Sequence, residues 1–175
     1  MNYFDLFALP NNFELDLAQL SAAFQTLQKT AHPDKFAHAS SQEQLLAAQK
    51  SATINDAYQT LKNPLKRAEY LLKQRGTEMP AEQASFQDTM FLMRQMELHE
   101  LLEDLPQAKD VDGAVNEANE ILDTEFQTLF CQLQQLIQNN DSASDQLATE
   151  VIRKLKFYQK LQRQLEEIEE QLFDD

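Results

Sequence analysis

The sequence has 175 residues, of which 42% are hydrophobic, and it carries a formal net charge of −14. That hydrophobic content is enough for packed cores, and the negative charge argues against nonspecific binding to nucleic acid or to anionic membranes. Two glycines and one cysteine exclude a glycine-rich phosphate loop, an intrachain disulfide and a multi-thiolate metal site. Because glycine is scarce whereas Leu, Ala, Gln and Glu are abundant, the composition predicts an all-α protein.

The first 75 residues contain the signals of four helices. A short apolar segment comes first, and Asp16 then fits the N-cap of a helix that ends before Pro33. A third helix is predicted over residues 41–62, and Asn63 fits the N-cap of a fourth helix that Gly76 ends. We expect the middle two helices to form an antiparallel pair. Helical spacing places six residues of the third helix inward: Leu45, Ala48, Ile54, Ala57, Tyr58 and Leu61.

The charge balance changes after this segment. Residues 1–75 hold seven acidic and eight basic side chains, whereas residues 76–175 hold 22 acidic and seven basic ones. The change coincides with a linker that contains Gly76 and Pro80. Three longer helical patterns follow, at 84–105, 112–138 and 145–173. Amphipathic helices with short connections predict an antiparallel three-helix bundle, and the charge break indicates two domains with different partners.

The loop after the second helix places Pro33 between His32 and Asp34. Pro33 fixes its own φ and stiffens the exit from the helix, so that the Asp34 carboxylate is held out at low ordering cost. A fixed, exposed carboxylate is a good acceptor for an arginine fork on a partner. Two alternatives remain open: Asp34 only caps the next turn, or His32, Asp34 and His38 bind a metal ion, as in a histidine-based metal-dependent enzyme.

The fifth predicted helix has apolar residues on two faces. At about 100° per residue, Leu98 and Leu102 fall close to Phe91 and form a stripe that faces a core. Leu92, Met93 and Met96 fall away from that stripe and alternate with acidic residues. Since a helix needs one apolar face to join a bundle, the second face indicates a partner surface, and methionines adapt to irregular partners. The alternative is that neighbouring helices bury this face as well.

Two blocks of the sequence resemble a known family. "HPDK" between two helices, preceded by "YFDLFALP", resembles a J-domain, the module that drives DnaK-type ATPase chaperones. "SATINDAYQTLKNPLKRAEYLL" and "DTMFLMRQMEL" resemble the bacterial HscB-type J-proteins of iron–sulfur cluster assembly. The resemblance implies a J-domain over residues 1–75, a linker over 76–83 and a C-terminal three-helix domain over 84–175, together L-shaped. It also implies a co-chaperone without enzymatic activity or cofactor.

The resemblance assigns one set of residues to each of two partners. Binding of an HscA-like, DnaK-type chaperone is expected at His32, Pro33, Asp34, Lys35 and Lys29. Binding of an IscU-like iron–sulfur cluster scaffold protein is expected at Leu92, Met93, Met96, Glu97, Glu100, Glu103, Asp104 and Phe157. A J-protein for a different client remains the alternative.

The basic residues depart from the usual J-domain pattern. The helix before the loop offers only Lys29, so docking is expected to be less salt-sensitive or to depend on Lys62, Lys66 and Arg67. A second group of basic residues is expected to form an exposed face that pairs with acidic neighbours: Arg153, Lys154, Lys156, Lys160 and Arg163. The N-terminus shows no secretory signal, so we expect a cytoplasmic protein, and we expect it to be a monomer.

Overall fold

A computed structural model describes residues 2–174, and within these residues it contains helices and loops but no strand. The prediction of an all-α fold is confirmed. The α-helices are α1 (Tyr3–Leu6), α2 (Leu17–Ala31), α3 (Ser41–Lys62), α4 (Pro64–Gln74), α5 (Thr89–Glu103), α6 (Val111–Asn139) and α7 (Ser142–Phe173). Two short 3-10 helices, Pro33–Phe36 and Leu105–Gln107, follow α2 and α5.

The chain divides into two compact units. The first ends at Gly76 and the second begins at Thr77. Gly76 has a φ of 88°, a left-handed conformation that glycine adopts without steric cost, and it directly follows the C-cap residue of α4. The predicted end of the fourth helix is therefore explained by the backbone.

In the first unit, α2 and α3 are antiparallel. The Ser51 hydroxyl donates a hydrogen bond to Gln28, while the Phe24 and Tyr58 rings stack 4.0 Å apart, so residues earlier in α2 meet residues later in α3. Asp16 and Asn63 cap α2 and α4 as predicted, each accepting from two backbone N–H groups. The buried apolar side chains of this unit are Phe4, Phe7, Phe13, Leu20, Ala31, Ala47, Ile54, Ala57, Leu61, Leu65, Ala68, Leu71 and Leu72.

The start of α3 differs from the prediction, because Leu45 and Ala48 are exposed whereas Ala47 is buried. The register that pairs Gln28 with Ser51 places residue 48 level with the last residue of α2. Residues 41–47 therefore extend beyond the end of α2 and lie beside the loop, where no long helix is available to cover Leu45. Periodicity alone does not show where a partner helix ends.

Arg67 is buried and is not part of a basic docking surface. Its Nε donates to the Phe13 carbonyl and its Nη1 to the Leu61 carbonyl, both at 2.7 Å. Burial lowers the pKa of Arg67. The side chain ties the loop before α2 to the end of α3, so the suggestion that it assists chaperone docking is wrong.

In the second unit, α6 and α7 are antiparallel, since Asn119 bonds to Glu169 while Asn139 bonds to Ser144. Helix α5 packs on both. Its predicted start at residue 84 is wrong, because α5 begins at Thr89 with Asp88 as its N-cap. The core that α5 shares with α6 and α7 consists of Phe91, Leu98, Leu102, Leu105, Val115, Ala118, Leu122, Tyr158, Leu161 and Leu165.

Two members of the basic group on α7 are largely shielded rather than exposed, with side chains 9% and 19% exposed. The Arg153 guanidinium lies 4.2 Å from the Phe86 ring and bonds to Glu150 and to the Ala84 carbonyl. Lys154 bonds to Asp88 at 2.8 Å. The long aliphatic stems of these residues cover the segment before α5, so the expected exposed face is wrong at these two positions, although both pair with an acidic residue as expected.

Candidate functional site

The loop after α2 presents one carboxylate to solvent. His32 has an extended backbone, as the residue before a proline does, and its Nδ1 accepts a hydrogen bond of 3.2 Å from the Asp34 N–H. The imidazole thereby caps the 3-10 helix Pro33–Phe36. The side chain of Asp34 is 92% exposed, and its Oδ2 lies 3.5 Å from the His32 Nδ1. We call His32, Pro33 and Asp34 the loop tip.

The residues that follow the loop tip are held to α3. The Gln44 side-chain amide donates to the carbonyls of Phe36 and Ala37 at 3.1 and 3.0 Å. Lys29 and Lys35, on either side of the loop tip, are both exposed. The Asp34 carboxylate does not cap a helix in this arrangement, because the cap of the following turn is supplied by His32.

The outward face of α5 carries the apolar residues that the sequence singled out. Leu92, Met93 and Met96 are exposed, Met96 to 69%, whereas Phe91, Leu98 and Leu102 on the same helix are buried. Neighbouring helices therefore do not cover this second apolar face. We call Leu92, Met93 and Met96, with the acidic residues beside them, the outer surface of α5.

Four acidic residues accompany the outer surface of α5, and their environments differ. Glu97 is paired with Arg94, with 2.7 Å between Oε2 and Nη1. Glu100, Glu103 and Asp104 are exposed at the C-terminal end of the helix. The unbalanced negative charge thus lies at that end.

Phe157 is half-buried rather than fully exposed. Its ring makes edge-to-face contacts with Phe91 and His99, with centroids 5.6 Å apart in each pair, and it packs against the core of the second unit. This residue therefore supports α5 and also has some surface available to a partner.

Sequence reasoning missed two residues next to this surface. Met90 is 82% exposed and continues the outer surface by one turn. The spacing of three between Met90, Met93 and Met96 is the signal that identifies it, since side chains three apart are neighbours on a helix. Arg94 was not singled out either, and it carries the ion pairs of this helix.

Neither a metal centre nor a membrane span is found in the part of the chain that the structure describes. No three His, Cys, Asp or Glu side chains of residues 2–174 are grouped so that they could hold a metal ion. No helix there combines the length and apolar character needed to cross a bilayer.

Comparison with known proteins identifies the family. The co-chaperone protein HscB homolog of Colwellia psychrerythraea is 59% identical to this chain over 175 residues, which is the full length of both. The chain belongs to the HscB co-chaperone family. The HscB homolog of Aliivibrio fischeri is 48% identical and covers 98% of this chain and 99% of its own length.

The domains and solved structures of HscB proteins agree with this membership. A family described as the DnaJ domain matches residues 2–70, and one described as the HscB C-terminal oligomerisation domain matches residues 87–166. Chaperone HscB from Vibrio cholerae superimposes with a TM-score of 0.92 at 48% identity, covering 98% of this chain and 100% of its own. Human co-chaperone HscB gives a TM-score of 0.87 at 28% identity, covering 97% and 82%. The predicted HscB-type J-protein is confirmed, and the chain is a J-domain co-chaperone.

Proposed function

We propose that this co-chaperone stimulates the ATPase of an HscA-like, DnaK-type chaperone and delivers an IscU-like iron–sulfur cluster scaffold protein to it. The observation that carries the proposal is the loop tip. There the Asp34 carboxylate is almost fully exposed, and the backbone that bears it is fixed by Pro33 and by the capping His32. The protein contributes no covalent chemistry; it brings two partners together, so that the cluster is released for maturation of iron–sulfur proteins.

The chaperone binds at the loop tip, through an arginine that receives the Asp34 carboxylate. Because Pro33 and the His32 cap already fix the backbone, little conformational entropy is lost when the contact forms. Lys29 and Lys35 add positive charge beside the tip, and Lys62 and Lys66 are also exposed in the same unit. With so few cations near the loop, the stimulation is expected to depend more on the Asp34 contact than on long-range attraction.

The scaffold binds at the outer surface of α5. The exposed Leu92, Met93 and Met96 supply apolar anchors, and Glu100 and Glu103 supply charge at one end. A partner for this surface presents an apolar patch with basic residues at its edge, since complementary charge steers association and fixes its register. The family resemblance, rather than this chemistry alone, identifies the partner as the iron–sulfur scaffold.

The test measures ATP hydrolysis by the chaperone and scaffold binding with the same protein samples. Asp34→Asn keeps the shape of the side chain but removes the charge that the arginine fork requires, so stimulation should be lost while scaffold affinity stays unchanged. Asp56→Asn is the matched control, because Asp56 is exposed on α3 and the charge change is equal. Full stimulation by a folded Asp34→Asn protein, or absence of scaffold binding by the unaltered chain, would contradict the proposal.

A further inference from the structure

The apolar residues of helix α5 select the face that it buries but do not fix its rotation closely. One face buries Phe91, Leu98 and Leu102, while the outer face exposes a leucine and several methionines. The apolar pattern favours the buried face, because a rotation of about 100° that brought Leu92 to the core would carry the charged Glu103 with it. Hydrophobic burial is non-directional, however, so it does not by itself fix the rotation of the helix closely.

A polar contact in the middle of α5 defines the rotation of the helix more closely. The Arg94 guanidinium forms a two-pronged contact with Glu125 of α6, with 2.7 Å between Nε and Oε1 and 3.1 Å between Nη2 and Oε2. Its remaining amino group, Nη1, bonds to Glu97 at 2.7 Å. Both partners of the cross-helix pair are partly shielded, with side chains 37% and 30% exposed. Such a planar fork has strict geometry, unlike an apolar contact.

The Glu125 carboxylate also engages α7. Burial, and then the negative charge of Glu125, raise the pKa of the Tyr158 hydroxyl of α7 to about 12. The hydrogen bond with Glu125 is the largest contribution that holds the pKa of Arg94 above its usual value. One carboxylate of α6 therefore bonds to a residue of α5 and acts electrostatically on a residue of α7.

We propose that Arg94 is a positioning residue whose fork on Glu125 fixes the rotation of α5 and keeps its methionine-rich face outward. If α5 turned by one residue, the Arg94 Cβ would point away from α6 and the two parallel hydrogen bonds would be lost. Asp88 and Lys154 anchor the start of the helix, but Asp88 lies before the first helical residue. That the outward face receives the scaffold rests on the function proposed above; the orientation itself does not.

The experiment measures the reactivity of a thiol on the buried face and needs no partner. Cys131→Ser removes the exposed native thiol, and Leu98→Cys places a reporter where the side chain is now 1% exposed. Arg94→Gln and Glu125→Gln should each raise the labelling rate at position 98 about two- to fivefold, the range expected for losing a partly exposed ion pair. Arg163→Gln is the matched control, since Arg163 is an exposed arginine of the same unit.

Rescue and helix integrity separate positioning from simple stability. The double change Arg94→Glu with Glu125→Arg rebuilds the pair in reverse and should return the labelling rate to that of the unaltered pair. Hydrogen exchange of the α5 amides should not change in Arg94→Gln, because a rotated helix keeps its backbone hydrogen bonds. The proposal is overturned by an unchanged rate in Arg94→Gln, by failure of the reversed pair to rescue, or by an equal effect of Arg163→Gln. Faster α5 amide exchange or global unfolding in Arg94→Gln would also overturn it.

Scaffold affinity forms a separate arm of the experiment. In the chain with its native leucine at position 98, Arg94→Gln should weaken scaffold binding about two- to fivefold and the reversed pair should restore it. If Arg94→Gln changes the labelling rate as expected but neither the unaltered chain nor any variant binds the scaffold, the positioning role is upheld and the proposed client is contradicted. Unchanged labelling with weakened binding would overturn the positioning role, and Arg94 would then be a direct contact.

Discussion

At the scale of single residues, the apolar residues proposed to contact the scaffold differ in what their truncation costs the fold. Met96 extends into solvent, whereas the ring of Phe157 contacts Phe91 and His99. If truncating one of these residues weakens partner binding, the stability of the variant must be measured as well, because binding is also lost when the domain unfolds.

The double change Leu92→Ala with Met96→Ala should lower scaffold affinity at least about tenfold, which is only ~1.4 kcal/mol for two interface anchors. The melting temperature should change little, because both side chains are exposed. Leu147→Ala is the control, since Leu147 is an exposed leucine on α7. Titration calorimetry and thermal melts on the three proteins decide the matter. Equal affinities in the double variant and the control would remove this surface from the client site.

Phe157→Ala should lower both scaffold affinity and stability. A fully buried phenylalanine costs about 3–5 kcal/mol when truncated, so roughly 1–3 kcal/mol is expected for this half-buried one. Chemical denaturation of the variant gives the free energy of unfolding, and calorimetry with the scaffold gives the affinity. An unchanged free energy of unfolding would show that the ring contacts contribute nothing, and that Phe157 acts only as a partner contact.

Local signals predicted the caps better than they predicted the roles of charged residues. Asp16 and Asn63 were recognisable because Asp or Asn directly before an amphipathic helical pattern usually serves as the N-cap of that helix. The roles of Arg67 and Arg94 were not recognisable. An arginine on an amphipathic helix usually faces water, and the neighbouring sequence does not indicate which residue it will contact. Their partners, Phe13 and Glu125, are 54 and 31 residues away. Contacts of that range depend on packing that periodicity does not show.

At the scale of elements, the N-terminal parts of α5 and α3 show what determines the limits of a helix. The helical pattern assigned to residues 84–105 begins before α5, yet Asp88 accepts from the Phe91 N–H and the helix begins at Thr89. Leu45 follows helical spacing in α3 but extends past the end of α2. Both errors have one cause: spacing gives the period of a helix, whereas a cap or the length of a neighbour sets its limits.

The cap of α5 makes its attachment dependent on pH. The hydrogen bond with Lys154 is the largest cause that lowers the pKa of Asp88. A carboxyl group whose pKa is lowered by folding stabilises the folded state above its unfolded pKa of about 3.9, and this contribution is lost as the pH falls through the lowered value. Asp88→Asn should therefore lower the melting temperature at pH 7, and the difference should shrink as the pH falls below about 4.

Melting curves of both proteins between pH 7 and pH 3 test this dependence. The substitution Asp88→Asn removes the charge but keeps the helix cap, because an asparagine at the N-cap also accepts from the backbone. The comparison therefore isolates the ion pair with Lys154 from the capping hydrogen bond. A difference that stays constant across the range would show that the Asp88 charge is not what attaches the segment to α7.

At the scale of the whole molecule, each of the two units has its own buried core, and the residues proposed for the two partners are divided between them. The loop tip belongs to the unit that ends at Gly76, and the outer surface of α5 belongs to the unit that begins at Thr77. The charge break in the sequence reflects this division, because the acidic excess lies entirely in the second unit. In the proposed function, the covalent connection between the units is what would turn two binding events into delivery.

Separating the units should therefore preserve binding but abolish delivery. A fragment of residues 1–76 should stimulate the chaperone weakly and retain no scaffold, and a fragment of residues 77–175 should retain the scaffold without stimulating. An equimolar mixture of the two at low micromolar concentration should not reproduce the scaffold-dependent stimulation given by the intact chain, because a short covalent link raises the effective concentration of the second partner to about millimolar. ATPase assays with and without scaffold, on the intact chain and on the mixture, measure this directly, and circular dichroism shows whether each fragment is helical.

Two outcomes would contradict the prediction. Scaffold retention by the first fragment would show that the client site is assigned to the wrong unit. Full scaffold-dependent stimulation by the mixture would show that delivery of the scaffold does not need the covalent link.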